Sequence, residues 1–152
     1  MADPVIKRGW QGEVNRNTGT MGTPTWNRIG NVRDVTPINE MTMFDTTSKD
    51  DLGDETEIPT TRKGGGDFEM LYNTGGDDLA ALHTLFTART VQEIAISDGA
   101  IATVGSRIRR TWATISKFVD AQKVKDGMLC EISFRPTPTD GSRTPIVDSV
   151  AA

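Results

Sequence analysis

The chain has 152 residues, a formal net charge of −4 and a single cysteine, Cys130. That length suits one domain, which can bury roughly 70 % of its unfolded surface without cross-links. The lone thiol excludes an internal disulfide framework, no apolar run approaches the ~20 residues of a membrane span, and the acidic balance argues against a general nucleic-acid binder.

The opening MADPVIKRGWQGEV lacks the apolar stretch of a signal peptide. Residues 1–24 have no hydrophobic period and are rich in Gly, Thr and Asn, so they read as an arm, disordered in a free monomer. Trp10 is the exception. An aromatic there packs either on its own core or on a neighbouring subunit, where aromatics anchor interfaces.

From Thr25 the pattern turns to strands. TWNRIGNVRDV predicts a first strand bulged at Gly30 and ended by Pro37. INEMTMFDT follows, with Met41 and Met43 alternating against Thr42 and Phe44. Beyond an acidic run, EIPTTR is extended, KGGG turns, and DFEMLYN puts Phe68, Met70 and Tyr72 on one face. GGDDLAALHTLFTAR predicts the one helix, with Asp77 or Asp78 as N-cap and Leu79, Leu82, Leu85 and Phe86 as its apolar stripe. Arg89 falls in its last turn, where a cation suits the dipole.

TVQEIAIS ends in Asp98-Gly99, a short hairpin signal. RIRRTWATISKFV is long, and Trp112, Ile115 and Phe118 break strict alternation, which predicts a bulge. VKDG turns the chain into MLCEISFRPT, with Met128, Cys130, Ile132 and Phe134 inward and Glu131, Ser133 and Arg135 outward. Residues 139–152 carry turn chemistry and then an unstructured tail. The fold class is therefore mainly β: an antiparallel β-sandwich or barrel with one flanking α-helix, over residues 25–138.

Charge is segregated along the chain. Residues 45–57 hold six acids (Asp45, Asp50, Asp51, Asp54, Glu55, Glu57) and one base, Lys49. Residues 101–135 hold seven bases (Arg107, Arg109, Arg110, Lys117, Lys123, Lys125, Arg135) and three acids. Such self-complementary patches favour head-to-tail association, which builds rings or filaments.

Motifs for chemistry are missing. The acidic run fails as an EF-hand because Leu52 or Gly53 falls where a third-position ligand is needed; only a loose oxygen-ligand cation site remains as a metal reading. RKGGGD inverts the phosphate-loop order, with Lys63 before the glycines. The single histidine, His83, lies inside the helix, and Cys130 lies on an apolar strand face, so neither reads as catalytic. In SRIRR, alternation splits Arg107 and Arg109 from Arg110, and few aromatics interleave, unlike a strand-binding groove.

Taken together, these segments resemble the major tail tube proteins of tailed bacteriophages, especially those of long non-contractile tails. TPTWNRIGNVRDVTPINEMTMFDTTSKDD is similar to the family's opening pair of strands, GGGDFEMLYNTGGDDLAALHTLF to its Gly turn, strand and single helix, and AISDG, WATISKF and LCEISFRPT to its closing strands. The resemblance implies a non-enzymatic virion protein, assembled in the host cytoplasm with no cofactor and no membrane, that forms six-membered rings stacked into a hollow tail tube. Implied partners are tail-tip or initiator and terminator proteins, a tape-measure protein, and phage DNA passing transiently through the lumen. The loop that reaches the adjacent ring maps onto residues 47–57, with Lys49, Asp50, Asp51, Asp54, Glu55 and Glu57 as contact residues. Their partners on the next ring would be Arg107, Arg109, Arg110, Lys117, Lys123 and Lys125; the other reading of the run is a solvated hairpin tip.

A DNA conduit should be lined by polar, acid-leaning side chains, since bases would hold phosphates. Glu69 and Glu131, outward on their strands, are the lumen candidates. Rival readings are the inner tube of a contractile tail, of a phage-like bacteriocin or of type VI secretion, and a head-completion ring. A carbohydrate-binding sandwich fits less well, because most of the nine Phe, Trp and Tyr residues fall on predicted core faces.

Overall fold

Apolar residues spaced two apart on β6 and β9 build the centre of the molecule. The structure, a computed structural model, describes residues 9–72, 77–123, 127–139, 141 and 144–151. Its elements in chain order are β1 (Glu13–Asn17), β2 (Trp26–Arg28), β3 (Val32–Pro37), β4 (Glu40–Asp45), β5 (Glu57–Lys63), β6 (Gly66–Leu71), α1 (Asp77–Ala88), β7 (Val91–Ser97), β8 (Arg107–Lys123), β9 (Gly127–Pro136) and β10 (Ile146–Val150). β6 and β9 pair Phe68 with Ile132 and Met70 with Cys130, and all four side chains are buried. Phe68 and Phe134 tilt against each other at 6.2 Å between ring centroids.

The main sheet runs β2-β1-β7-β8-β9-β6-β3, with β10 also on β8, and all pairings are antiparallel. β2 and β3 stand at opposite ends of that order, yet only residues 29–31 separate them. Three residues reach about 11 Å at most, so the sheet must curl until its ends nearly meet. The corner is bonded to both ends: the Ile29 N–H donates to Val14 O and the Leu71 N–H to Asn31 O. Asn31 takes φ 60 to make the turn, a conformation its short amide tolerates.

Curling brings Val14 and Ile94 from one half of the sheet onto Phe68, Ile132 and Phe134 from the other, in one core closed by Leu79 and Leu82 of α1. β8 spans both halves. Its register shifts between Ile115 and Lys117, so odd residues (Thr111, Ala113, Ile115) face inward before the bulge and Phe118 after it. This is the break in alternation that the sequence predicts. Phe118 meets α1, with Phe86 stacked at 6.1 Å and His83 edge-on at 5.1 Å.

Several expectations are corrected. Residues 13–17, read as part of an arm spanning 1–24, form β1 between β2 and β7. The strand has one apolar residue, Val14, and buries Asn15 and Asn17; the Asn17 amide, bonded to Thr20 O and to the Gly19 and Thr25 N–H groups, replaces a hydrophobic period as the signal. Residues 146–150, read as an unstructured tail, form β10 along residues 107–111 of β8. The single strand expected across Gly30 is two strands on opposite ends of the sheet. Asp98-Gly99 opens a loop of residues 98–106 rather than a two-residue turn. Asp78 is no N-cap: its carboxylate accepts from Arg16 Nε at 3.3 Å and from the Gly30 N–H at 3.2 Å, fixing the helix to the corner. Met128 is half-exposed, and its neighbour Leu129 is buried instead.

The KGGG segment is not a loose turn. Gly65 has φ 97, and a Cβ there would collide with the Phe134 carbonyl, as one on Gly64 would with Ile146. The glycines let the base of the β4–β5 pair cross tightly over the end of β9.

Candidate functional site

β4 and β5 pair only with each other, as a two-stranded hairpin outside the main sheet. Every residue in both strands is exposed, including Met41, Met43, Phe44 and Ile58. Strands with apolar side chains and no buried face do not hold together for their own sake. The apolar alternation read from the sequence is present, but it points at nothing within the chain.

The tip between these strands is a built structure rather than a floppy run of charge. Ser48 N-caps a 3-10 turn at Lys49–Asp51, accepting from the Asp50 N–H, while the Asp51 carboxylate accepts back from the Ser48 N–H at 2.6 Å. Asp51 also accepts from Thr56 Oγ1. Asp45 accepts from Thr47, and hydrogen bonds from that residue, side chain first and then backbone, hold its carboxyl below the usual value. Two of the six acids therefore shape the loop. The carboxylates of Asp50, Asp54, Glu55 and Glu57, and the Lys49 ammonium, make no ion pair or hydrogen bond among the described residues.

Leu52 follows the turn with φ 52 and is 92 % exposed. A leucine in the left-handed region, fully in water, breaks two local rules at once. Sequence reasoning noted it only as a residue that breaks the EF-hand pattern; a lone apolar residue among charges was the signal available.

The expected basic face is divided by the fold. Arg110 is an internal strut: its Nε is 2.7 Å from Glu93 Oε1, Nη2 donates to Met21 O, and the guanidinium sits 5.4 Å from the Trp26 ring centroid. The Glu93 side chain is fully buried there, and burial depresses the Arg110 guanidinium somewhat. Arg109 donates to Asp148 at 2.8 Å, and Arg62 of β5 reaches the other oxygen of the same carboxylate at 2.7 Å. Lys117 lies 3.5 Å from Glu131. The Arg107 guanidinium is exposed and has no such pairing among the described residues. Lys125 and the side chains of Lys123 and Trp10 lie outside the described residues, although Trp10 belongs to a 3-10 turn at Gly9–Gln11.

The Asp148 bridge was not foreseen, because it joins residues 62, 109 and 148 only through the tertiary fold. Burial alone would raise this carboxyl, but hydrogen bonds and charge from Arg109 and Arg62 outweigh it and hold it below the usual value. The bridge ties the base of the hairpin to β10 and β8.

Glu69 and Glu131 stand directly opposite on β6 and β9. They share a shallow cleft with Asp34, Asp67, Lys117 and Arg135 on the face away from the core, four acids against two bases. Cys130 is buried and donates to Asp120 Oδ1 at 3.0 Å; burial first, then Asp120, pushes its thiol up to about 12, so it is no nucleophile at neutral pH. Among the described residues no group of three metal-ligating side chains assembles, and no helix is long and apolar enough to cross a membrane.

No protein-family model matches the sequence, and no curated protein matches it significantly. Solved structures match in fold. The SPP1 tail tube subunit superposes with a TM-score of 0.71 at 9 % identity, over 95 % of this chain and 80 % of that one. A chain from the C6-symmetric tail of a gene transfer agent particle gives 0.70 at 14 % identity, over 97 % and 100 %. The sheath/tube terminator structure of an extracellular contractile injection system, PVC, supplies a third, at 0.67 and 10 % identity over 98 % and 100 %. The chain has the tail-tube fold.

Proposed function

We propose that this chain is a structural subunit of a tail tube, polymerising as stacked six-membered rings around a bore through which DNA passes. The observation that carries the reading is the superposition of nearly the whole chain on tail chains of the SPP1 tube and the gene transfer agent. The unpartnered hairpin supports it, since a fully exposed apolar pair of strands is what a subunit surface looks like before assembly. Tail-tip, terminator and tape-measure proteins are its partners in this reading. The face bearing Asp34, Asp67, Glu69 and Glu131 lines the bore, where its net acidity keeps phosphates from sticking.

The free carboxylates at the hairpin tip meet a neighbouring ring. The fold refines how that is tested, because Asp51 builds the tip and must be kept. Neutralising Asp50, Asp54, Glu55 and Glu57 together should leave a folded subunit whose tubes grow poorly and whose growth loses salt sensitivity. Negative-stain electron microscopy of concentrated protein at low and moderate salt reads the outcome. Hollow, striated filaments of uniform width from the unaltered chain support the reading, and normal tubes from the neutralised variant would remove the acidic contact from it.

A second reading, the tube of a contractile injection system, is favoured by the likeness to the PVC and anti-feeding prophage chains. It predicts that purified tubes bind a sheath protein supplied from the same gene neighbourhood.

A further inference from the structure

The knob and its socket are both on this chain. We propose that Leu52 is the anchor of the contact between copies and that it docks in the cleft at the base of a second copy's hairpin. This rests on the tube reading above and names the pairing within it.

That cleft is lined by Pro37, Ile96, Ile108 and Val150 together with Arg107 and Arg109. Its volume is about 600 Å³ and its lining is mostly apolar, although it opens to solvent. Val150 is 61 % exposed, so part of the wall is as unpartnered as the knob. The local charge suits an acidic tip. Along its lining Arg107 and Arg109 balance Asp98 and Asp148, and Asp148 is taken up by Arg109 and by Arg62 beside it, which leaves the exposed Arg107 guanidinium without an ion pair among the described residues. The tip brings four free carboxylates and one lysine around Leu52. An apolar anchor beside free carboxylates, meeting an apolar cleft that offers an unpaired arginine, is the pattern of an interface hot spot.

Leu52 has no use within the subunit. It touches no core, it holds a strained φ, and Gly53 beside it shows that the turn is already supplied with a permissive residue. A position that costs the free subunit stability and gives it no packing is accounted for by an assembled state. The placement of the two parts also matters. Pro37 ends the strand before the hairpin and Asp148 grips Arg62 in its returning strand, so the cleft lies at the hairpin's base and the knob at its tip. The strands alone separate them by about 20 Å. One copy cannot dock into itself; copies can dock only head to tail, and an unlike contact of that kind propagates as a filament when it does not close.

The test uses full-length protein in two arms. Leu52→Gly relieves the backbone and deletes the knob, so the subunit should melt no lower than the unaltered chain while its critical concentration for tube growth rises roughly tenfold or more. In the second arm, tubes of the double variant Leu52→Cys/Val150→Cys are oxidised; the native Cys130 is buried and silent. A ladder of covalent oligomers is expected, absent from either single variant and from Leu52→Cys paired with Thr84→Cys on the exposed side of α1. Tubes that form normally but give no ladder, or an unchanged critical concentration for Leu52→Gly, overturn the pairing and leave the tube reading standing. Unaltered protein that forms no tubes at high concentration and low salt defeats the tube reading, and the pairing with it.

Discussion

At the scale of single residues, two arginines of one short run do opposite things. Arg110 faces the buried Glu93 carboxylate, whereas Arg107 reaches into solvent. Breaking a buried pair of that kind costs about 3–5 kcal/mol, and a surface substitution stays within ~0.5 kcal/mol. Arg110→Ala should therefore lower the urea midpoint sharply while Arg107→Ala leaves it in place. Alternation separated Arg110 from its neighbours correctly; what the sequence could not reveal was the glutamate on the next strand. Arg89 is a second instance. It occupies the position just past α1 with φ 56, and the Thr90 N–H reaches Leu85 O while the Arg89 N–H reaches Phe86 O. That closing motif favours glycine. Relief of left-handed strain, ~1–2 kcal/mol, exceeds an exposed dipole interaction of ~0.3 kcal/mol and the flexibility glycine adds. Arg89→Gly should stabilise the chain by about 0.5 kcal/mol, with a larger gain in high salt, where the dipole interaction is screened.

At the scale of elements, legibility followed burial. β6, β9 and α1 were readable because each sets apolar residues against a core at its own period. β1 and β10 were not, since one buries asparagines and the other is largely exposed. β10 is in effect a continuation of β9. The Thr137 N–H donates to Trp112 O and the Trp112 N–H to Pro145 O, so the two strands lie end to end along β8 with an excursion between them. Excising residues 138–144 and joining the ends through one glycine should retain a cooperative fold, checked by thermal melting, because no ladder hydrogen bond among the described residues is lost. The hairpin's base carries a pH dependence of its own. Asp148 has a depressed folded-state carboxyl, so its contribution is complete above the unfolded value near 3.9 and fades as pH falls through the lower folded value. Protection from hydrogen exchange at residues 61–63, taken relative to the intrinsic rate at each pH, should fall below about pH 4, and Asp148→Asn should show the lowered protection at neutral pH with no acid step.

At the scale of the whole molecule, the mainly-β class with one flanking helix was legible, while the curl was not. Nothing local announces that residues 29–31 join opposite ends of a seven-strand path; that follows only once β1 is known to lie in the sheet. The candidate site was half legible for the same reason. The acidic tip is contiguous and could be read directly, whereas the bases expected to meet it are scattered by the fold into a strut, a bridge and one exposed arginine. Tube growth should accordingly depend on salt, but less steeply than a contact made by charges alone, because an apolar anchor is not screened. The midpoint concentration for assembly, followed by sedimentation across a salt series, measures that slope.

The end-to-end layout of β9 and β10 also imposes an order in time. Leu52 leaves the ribosome early, but the cleft is incomplete until residues 146–150 have emerged and paired with β8. A half-made chain can thus offer itself to a finished neighbour but accept nothing in return. Chains interrupted before β10 would then end a growing filament rather than extend it.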